Sequence, residues 1–290
     1  MLLYGGFYWV YHASMAIRFI ETNDGASLLP FRLRGIGVDH PQEPIRRPQG
    51  YPLHQWIQIR TGDVWVETIN GISLGHVGDG IFLRPDEYHA YHDLRGDGSL
   101  MVDWMNFDGS AVPLALASGP LGLSGVYRLM RPETVHGWFA DAWRMSGDPA
   151  QPSRRQLSSM VYRLLMELAE AAAPPGQTTL SDDIHRLLPV IRSLEERLAE
   201  PWTVAGMATI LEISPQHLGR LFVRSLEQSP LDYLINLRIN RARTLLVERL
   251  ELRVHEIAEA VGYGDVNHFI RRFRQREGCT PGDFRNLHRL

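Results

Sequence analysis

Two stretches in the last hundred residues repeat one local plan, and that repetition constrains the fold more than any other feature of the chain. Each is a short helix, a tight turn and a second helix opened by a capping residue. In the first, Val204 to Leu211 reads as a helix with Met207 and Ala208 inward, and the turn falls at Glu212-Ile213. Ser214 then caps the next helix and Pro215 takes its first position. Serine there accepts a bond from an orphan amide, and proline loses nothing because its missing N–H had no partner. Leu218, Leu221 and Phe222 bury one face, which leaves Gln216, Gly219, Arg220 and Arg224 on the other. In the second stretch His255 to Val261 is the supporting helix, Gly262-Tyr263-Gly264 the turn and Asp265 the cap. Phe269 and Phe273 sit at i and i+4, so Asn267, Ile270, Arg271 and Arg274 face outward.

Between the two lies Pro230, then a helix from Leu231 to about Val247 whose apolar residues are Leu231, Ile235, Ile239, Ala242 and Leu246. At 1.5 Å per residue it is about 25 Å long. One turn of DNA is about 34 Å, so the two outer helices are expected to reach successive major grooves. Arginine bonds guanine through two donors, and glutamine or asparagine bonds adenine. Gln216, Arg220, Asn267 and Arg271 are therefore the expected base readers. Arg224, Arg241, Arg243 and Arg274 are expected on phosphates, which position a protein but read little sequence.

The rest of the chain reads differently. Residues 31–108 read as short strands: Gln55 to Arg60, which alternates polar and apolar at period 2, then Val64 to Ile69, Ile81 to Leu83 and Met101 to Phe107. Thr61-Gly62, Asn70-Gly71 and Gly78-Asp79-Gly80 separate them as turns, the pattern of a sandwich or barrel. Residues 132–172 return to helical spacing, with Leu157, Val161, Leu164, Leu165 and Leu168 on one face. Pro174 to Thr179 reads as a linker. From Ser181 the chain is helical to its end, beginning with the stripe Ile184, Leu187, Leu188, Ile191, Leu194 and Leu198, kinked at Pro189 and stopped by Pro201.

Charge follows the same division. Residues 1–182 hold 14 arginines and 19 acids; residues 183–290 hold 16 arginines and 14 acids. The run His268 to Arg276 has four arginines and no acid. Hydrophobic content of 44% supports real cores, and no apolar run is long enough for a membrane helix. The single Cys279 excludes a disulfide within the chain and fits a reducing compartment such as the cytoplasm. Met1 to Ile17 lacks the basic start of an export signal and reads as an ordered strand or arm.

The last hundred residues resemble the DNA-binding domain of the AraC/XylS family of bacterial transcription regulators. The resemblance is carried by Ser214, Pro215, Leu218, Arg220, Leu221 and Phe222; by Pro230, Tyr233, Leu237, Arg238, Ala242 and Leu246; by Ile257, Ala258, Val261, Gly262 and Tyr263; by Phe269, Arg271 and Phe273; and by Gly278, Thr280, Pro281, Phe284 and Arg285. It implies seven helices, two helix-turn-helix units and promoter binding, usually with activation of transcription. Two departures stand out. Glu212 replaces a frequent glycine before the recognition helix, and Gly219 leaves one reading position bare.

A second, less extensive resemblance covers Gly80 to Tyr91 and Asp103 to Gly109, which are similar to the cupin-like sensor barrel of the sugar-responsive branch of that family. It implies an effector pocket in which Arg47, Tyr91, Trp104 and His89 contact a small molecule, with a carbohydrate as the first candidate class. The usual histidine two before the tryptophan is absent, since Val102 stands there.

The resulting expectation is an α+β protein: a cupin-like β-barrel at 1–130, a helical dimerisation segment at 131–173, a linker at 174–182 and an all-α domain with two helix-turn-helix motifs at 183–290. Its expected partners are double-stranded promoter DNA, an effector, a second copy of itself and RNA polymerase, with no membrane, no cofactor and no metal. The rival reading is a metal-dependent cupin enzyme with a helical appendage. His54, His76, His89 and His92 invite it, but His54-Gln55-Trp56 lacks the second histidine of a metal-binding pair. A third reading is a constitutive DNA-binding protein whose barrel only dimerises.

Overall fold

The computed structural model describes residues 16–20, 29–117, 119–147, 154–173 and 182–288. Residues 1–15 of the expected arm and residues 174–181 of the expected linker lie outside them.

Alternating side chains build two antiparallel sheets, as the α+β expectation required. Strands β1 (Ala16–Phe19), β2 (Arg32–Pro41), β4 (His54–Thr61), β7 (Gly80–Leu83), β9 (Met101–Asp108), β10 (Gly125–Leu129) and β11 (Ala172–Ala173) form one, in the order β1-β2-β9-β4-β7-β10-β11. Strands β3 (Ile45–Arg47), β5 (Val64–Thr68), β6 (Gly71–Gly75) and β8 (His89–Asp93) form the other, in the order β3-β8-β5-β6. The hairpin at Asn70-Gly71 is present. Its pairing of Thr68 with Gly71 makes Ile69 and Asn70 the turn residues, one position earlier than the sequence suggests.

Period-2 alternation gives the larger sheet two buried faces. Ile57, Ile59, Val102 and Trp104 turn toward the smaller sheet, where Val64, Val66 and Tyr91 meet them. Trp56, Phe82, Met105 and Phe107 turn the other way, onto the helices α1 (Val112–Ala117), α2 (Pro132–Ser146) and α3 (Arg154–Ala171). The short α1 and the strands β10 and β11 carry too little periodicity to be read from sequence.

The C-terminal region contains α4 (Asp182–Glu196), α5 (Val204–Ile210), α6 (Pro215–Leu226), α7 (Pro230–Glu248), α8 (Val254–Ala260), α9 (Val266–Glu277) and α10 (Pro281–Leu287), the seven helices expected. Helix α4 runs through Pro189. Helix α7 corrects the single-stripe reading. Leu231 is 44% exposed and Ile235 only half-buried. Tyr233, Leu234 and Leu237 instead pack with α4, α5 and α6, while Ile239, Ala242, Leu245 and Leu246 pack with α8, α9 and α10. A helix shared by two cores needs two apolar faces, and a one-stripe pattern cannot describe it.

The smaller sheet's outer face is not free. Trp65, Leu74, Ala90 and Leu94 join the apolar cluster of α4, α6 and α7. Around it Arg192 bonds Glu67 at 2.8 Å, Arg46 pairs with Glu196, and His92 pairs with Glu195.

Candidate functional site

Helices α6 and α9 are both twelve residues long and are built alike. Ser214 Oγ accepts from His217 N at 3.2 Å, and Asp265 Oδ1 accepts from Asn267 N at 2.8 Å. Leu218 and Phe222 on α6, and Phe269 and Phe273 on α9, occupy matching positions and are fully buried. Matching C-caps follow, Glu227 at φ 56° and Gly278 at φ 77°, both left-handed. The turn before each of these helices also matches, with Glu212 at φ 54° and Gly262 at φ 89°.

The construction fixes what each helix presents. Gln216 and Asn267 are the second residues of their helices, and Arg220 and Arg271 the sixth; all four are exposed. The fifth and ninth positions differ: Gly219 and the exposed Val223 on α6, against Ile270 and Arg274 on α9. On α9 these side chains, with Gln275 and Thr280, line an open groove of about 450 Å³.

The four expected phosphate contacts are placed unequally. Arg274 is exposed beside Asn267 and Arg271. Arg224 is exposed but pairs with Asp183 of α4. Arg241 lines a cleft with Glu43 of the barrel and with Glu195 and Glu248. Arg243 lies 3.6 Å from Glu277 and packs against Gly98 of the barrel. In this arrangement α7 turns Arg241 and Arg243 toward the barrel, a neighbour that helical periodicity cannot reveal.

Sequence reasoning passed over two arginines that hold this surface in shape. Arg238 donates to Leu198 O at 3.1 Å and to Glu200 O at 2.6 Å, with its guanidinium 5.5 Å from the Tyr263 ring centre. It thereby ties the end of α4 to the second unit. Arg285 donates to Leu246 O at 3.3 Å and Leu252 O at 2.7 Å, fixing α10 against the end of α7. Both stand among the residues that carry the family resemblance, but helical spacing gives them no role.

In the barrel the four expected effector residues lie on strands that meet. Arg47 pairs directly with His89, and Ile45 with Tyr91, across β3 and β8. The His89 and Tyr91 rings stack at 6.1 Å. Arg47 reaches across to the larger sheet, donating to Gln55 Oε1 at 3.1 Å, and Gln55 Nε2 donates to Asn106 Oδ1 at 2.8 Å. Trp104 and Tyr91 belong to the same cluster between the sheets. A Cβ on Gly37 would overlap the Trp104 indole, so glycine is required there. Burial raises the Tyr91 hydroxyl to about 12 and lowers His89, so the ring is neutral near pH 7.

Among the described residues, no three histidine, cysteine, aspartate or glutamate side chains are gathered to hold a metal ion. The described helices include none long and apolar enough to cross a membrane.

Comparison with known proteins agrees with this layout. Residues 32–172 match the AraC-like ligand binding domain, and residues 207–287 match a helix-turn-helix domain. The chain is 30% identical over 113 residues to the HTH-type transcriptional regulator YpdC of Escherichia coli K12, covering 38% of each protein. It is 24% identical over 238 residues to YidL of the same organism, covering 79% of this chain and 74% of YidL. A solved structure, the DNA-binding domain of AdpA in complex with a target DNA, is 27% identical and covers 36% of this chain and 93% of that one, with a TM-score of 0.35. An AraC-like ligand-binding domain followed by a helix-turn-helix domain defines a class of regulators rather than enzymes. The chain carries both of these domains in that order, and the relatives that it matches are HTH-type transcriptional regulators.

Proposed function

We propose that the protein is a one-component activator of transcription that binds promoter DNA through α6 and α9 and responds to a sugar-like effector held in the barrel. The observation that carries the DNA reading is the repeated pair, Gln216 with Arg220 and Asn267 with Arg271, exposed at the same positions of two equally built helices. Amide and guanidinium side chains at that spacing suit adenine and guanine edges in the major groove. Arg224, Arg241, Arg243 and Arg274 are assigned to phosphates. For Arg241 and Arg243 this requires the barrel to move away from α7.

The domain boundaries are taken as 1–130, 131–173, 174–182 and 183–290. The segment 131–173 is assigned to a homodimer. Helix α3 exposes Arg154, Arg155 and Arg163 in its first two-thirds and Glu170 at its end, so antiparallel pairing of two copies sets opposite charges together. The working site is the cytoplasm, with RNA polymerase as the partner of the DNA-bound dimer.

Coupling is supported by strand β8, which has two working faces. His89 and Tyr91 turn into the barrel, while Ala90, His92 and Leu94 pack on the DNA-binding region. The loop that follows is drawn tight by Asp93, whose carboxylate accepts from Arg95 N at 2.9 Å and Gly98 N at 2.7 Å. Gly96 and Gly98 then pack against Leu237 and Asn240 of α7. An effector that favours one position of β8 thereby favours one placement of α7.

The test is an anisotropy titration of the full chain on duplexes from its own upstream region and on random duplex, with and without sugars. Tight binding to one duplex, at least about 10³-fold over random DNA, whose affinity shifts with a sugar, is the expected result. Equal affinity for all duplexes would contradict DNA reading. Effector-independent affinity would contradict coupling.

A further inference from the structure

The pairing of β2 with β9 is interrupted. Gly37 stands opposite Trp104, but the next pair is His40 with Val102, so Val38 and Asp39 both face the single residue Asp103. This is a β-bulge, and Asp39 sits in it at φ 48°. Simple alternation from Gly37 would send the His40 side chain out of the barrel. The extra residue reverses that parity. Because directly opposed residues share a face, His40 lies on the side of Val102 and Trp104, in the space between the sheets.

The bulge is held in place. Asp103, fully buried on the other face of β9, accepts from Asp39 N at 2.9 Å and is itself fixed by Arg60 and His136, each at 3.3 Å. Strain and a buried carboxylate together aim one imidazole at the indole of Trp104, with the ring centres 6.3 Å apart and nearly perpendicular. His40 Nδ1 is buried there without a hydrogen-bond partner, and so is His89 Nε2, on a ring that is 1% exposed. A buried polar nitrogen left unpaired costs about 1–3 kcal/mol. Among the described residues the barrel has a third such nitrogen, His54 Nδ1, on the helix side beside Phe82 and Phe107; the two that lie between the sheets indicate a group that supplies their bonds.

The charged groups around these two rings narrow that group. Arg47 makes no ion pair among the described residues; its contacts are Gln55 Oε1 and the Tyr51 ring at 4.4 Å. The one acid whose position on β8 faces inward, Asp93, is occupied by its own loop. A guanidinium with spare donors matches a carboxylate, and neutral imidazoles with an amide pair match hydroxyl groups.

We propose that His40 is an effector-contacting residue, turned inward by the Val38–Asp39 bulge, and that the effector is a small polyhydroxylated carboxylate. The inference rests on the effector-sensing reading above. His40 bonds a hydroxyl beside Trp104, His89 bonds a second hydroxyl beside Tyr91, and Arg47 takes the carboxylate.

Thermal shift and calorimetric titration of the full chain against D-gluconate, D-glucuronate and D-galacturonate, with D-glucose, D-galactose and glucose 6-phosphate as counterparts, test this. At least one carboxylate is expected to bind about tenfold or more tightly than its neutral or phosphorylated counterpart. His40→Val is expected to weaken that binding about tenfold while the unliganded melting temperature holds or rises. His40→Gln, which keeps a polar group, recovers most of the loss, and Arg47→Gln abolishes the preference for the acid. The nitrogen resonances of both imidazoles move when the acid is added. Unchanged binding in a folded His40→Val variant overturns the assignment of His40. Preference for a neutral sugar or a phosphate, with DNA affinity responding to it, overturns the carboxylate and leaves sensing intact. No response to any member overturns both.

Discussion

Glu212 holds a left-handed backbone that Gly262 holds in the equivalent turn. A side chain costs about 1–2 kcal/mol in that conformation, and glycine avoids the clash while giving up some chain entropy. Glu212→Gly is therefore expected to stabilise the chain by about 0.5–1 kcal/mol. The reverse change, Gly262→Ala, meets Arg238 and the Ala199 carbonyl and is expected to cost about 2 kcal/mol or more. Chemical denaturation of both variants checks the pair; a destabilised Glu212→Gly would show that the side chain makes a contact worth more than its strain. Asp103 offers a test in pH. Burial raises its carboxyl from 3.8 to about 6. The folded chain then keeps this proton where the unfolded chain has lost it, so the stability that this group contributes is fully present below about pH 4 and is lost as pH rises through about 6. Asp93, raised to about 6 by burial and by the Asp97 charge, adds a slope of the same sign. Asp103→Asn should remove about 1–3 kcal/mol of that dependence, measured as denaturation midpoints across pH 4–7.

At the scale of elements, recognition helices and sheet strands differ in how much of them the sequence reveals. The caps Ser214 and Asp265, the i, i+4 pair Phe269 and Phe273, and the turn before β6 follow from local chemistry, and each lies where or within one residue of where that chemistry puts it. Four base-reading candidates were legible for the same reason: once the buried face of a helix is known, the exposed face follows. Strand β2 shows the limit. Its bulge depends on Asp103, more than sixty residues away, and no local pattern announces that His40 turns inward. Arg241 and Arg243 show it again, since their surroundings come from the barrel. The two faces of β8 carry a prediction here. Arg46→Ala combined with Arg192→Ala removes two partly exposed ion pairs and should cost no more than about 1 kcal/mol. Hydrogen exchange in α4 and β8 should nevertheless quicken together, by up to about fivefold. Faster exchange in α4 alone would mean that β8 does not share its motion.

At the scale of the molecule, the barrel and helices α6 and α9 meet around α4 and α7. The two units share a plan but differ in charge, because the second has Arg274 where the first has Val223. Arg274→Ala should weaken binding to every duplex alike and reduce the salt slope by about one unit. Arg220→Ala should cost about 1–3 kcal/mol at a single base position. Loss of equal size on specific and random DNA would remove Arg220 from the reading set. The claim on which the account turns is that α6 and α9 each read their own stretch of one duplex. Selection of bound sequences from a random DNA pool, run with the parent chain and with Gln216→Ala and Asn267→Ala, tests it most directly. The account predicts two conserved clusters with centres about 10–10.5 base pairs apart, one blurred in each variant. A single cluster lost in both variants, or no enrichment by the parent, would contradict it.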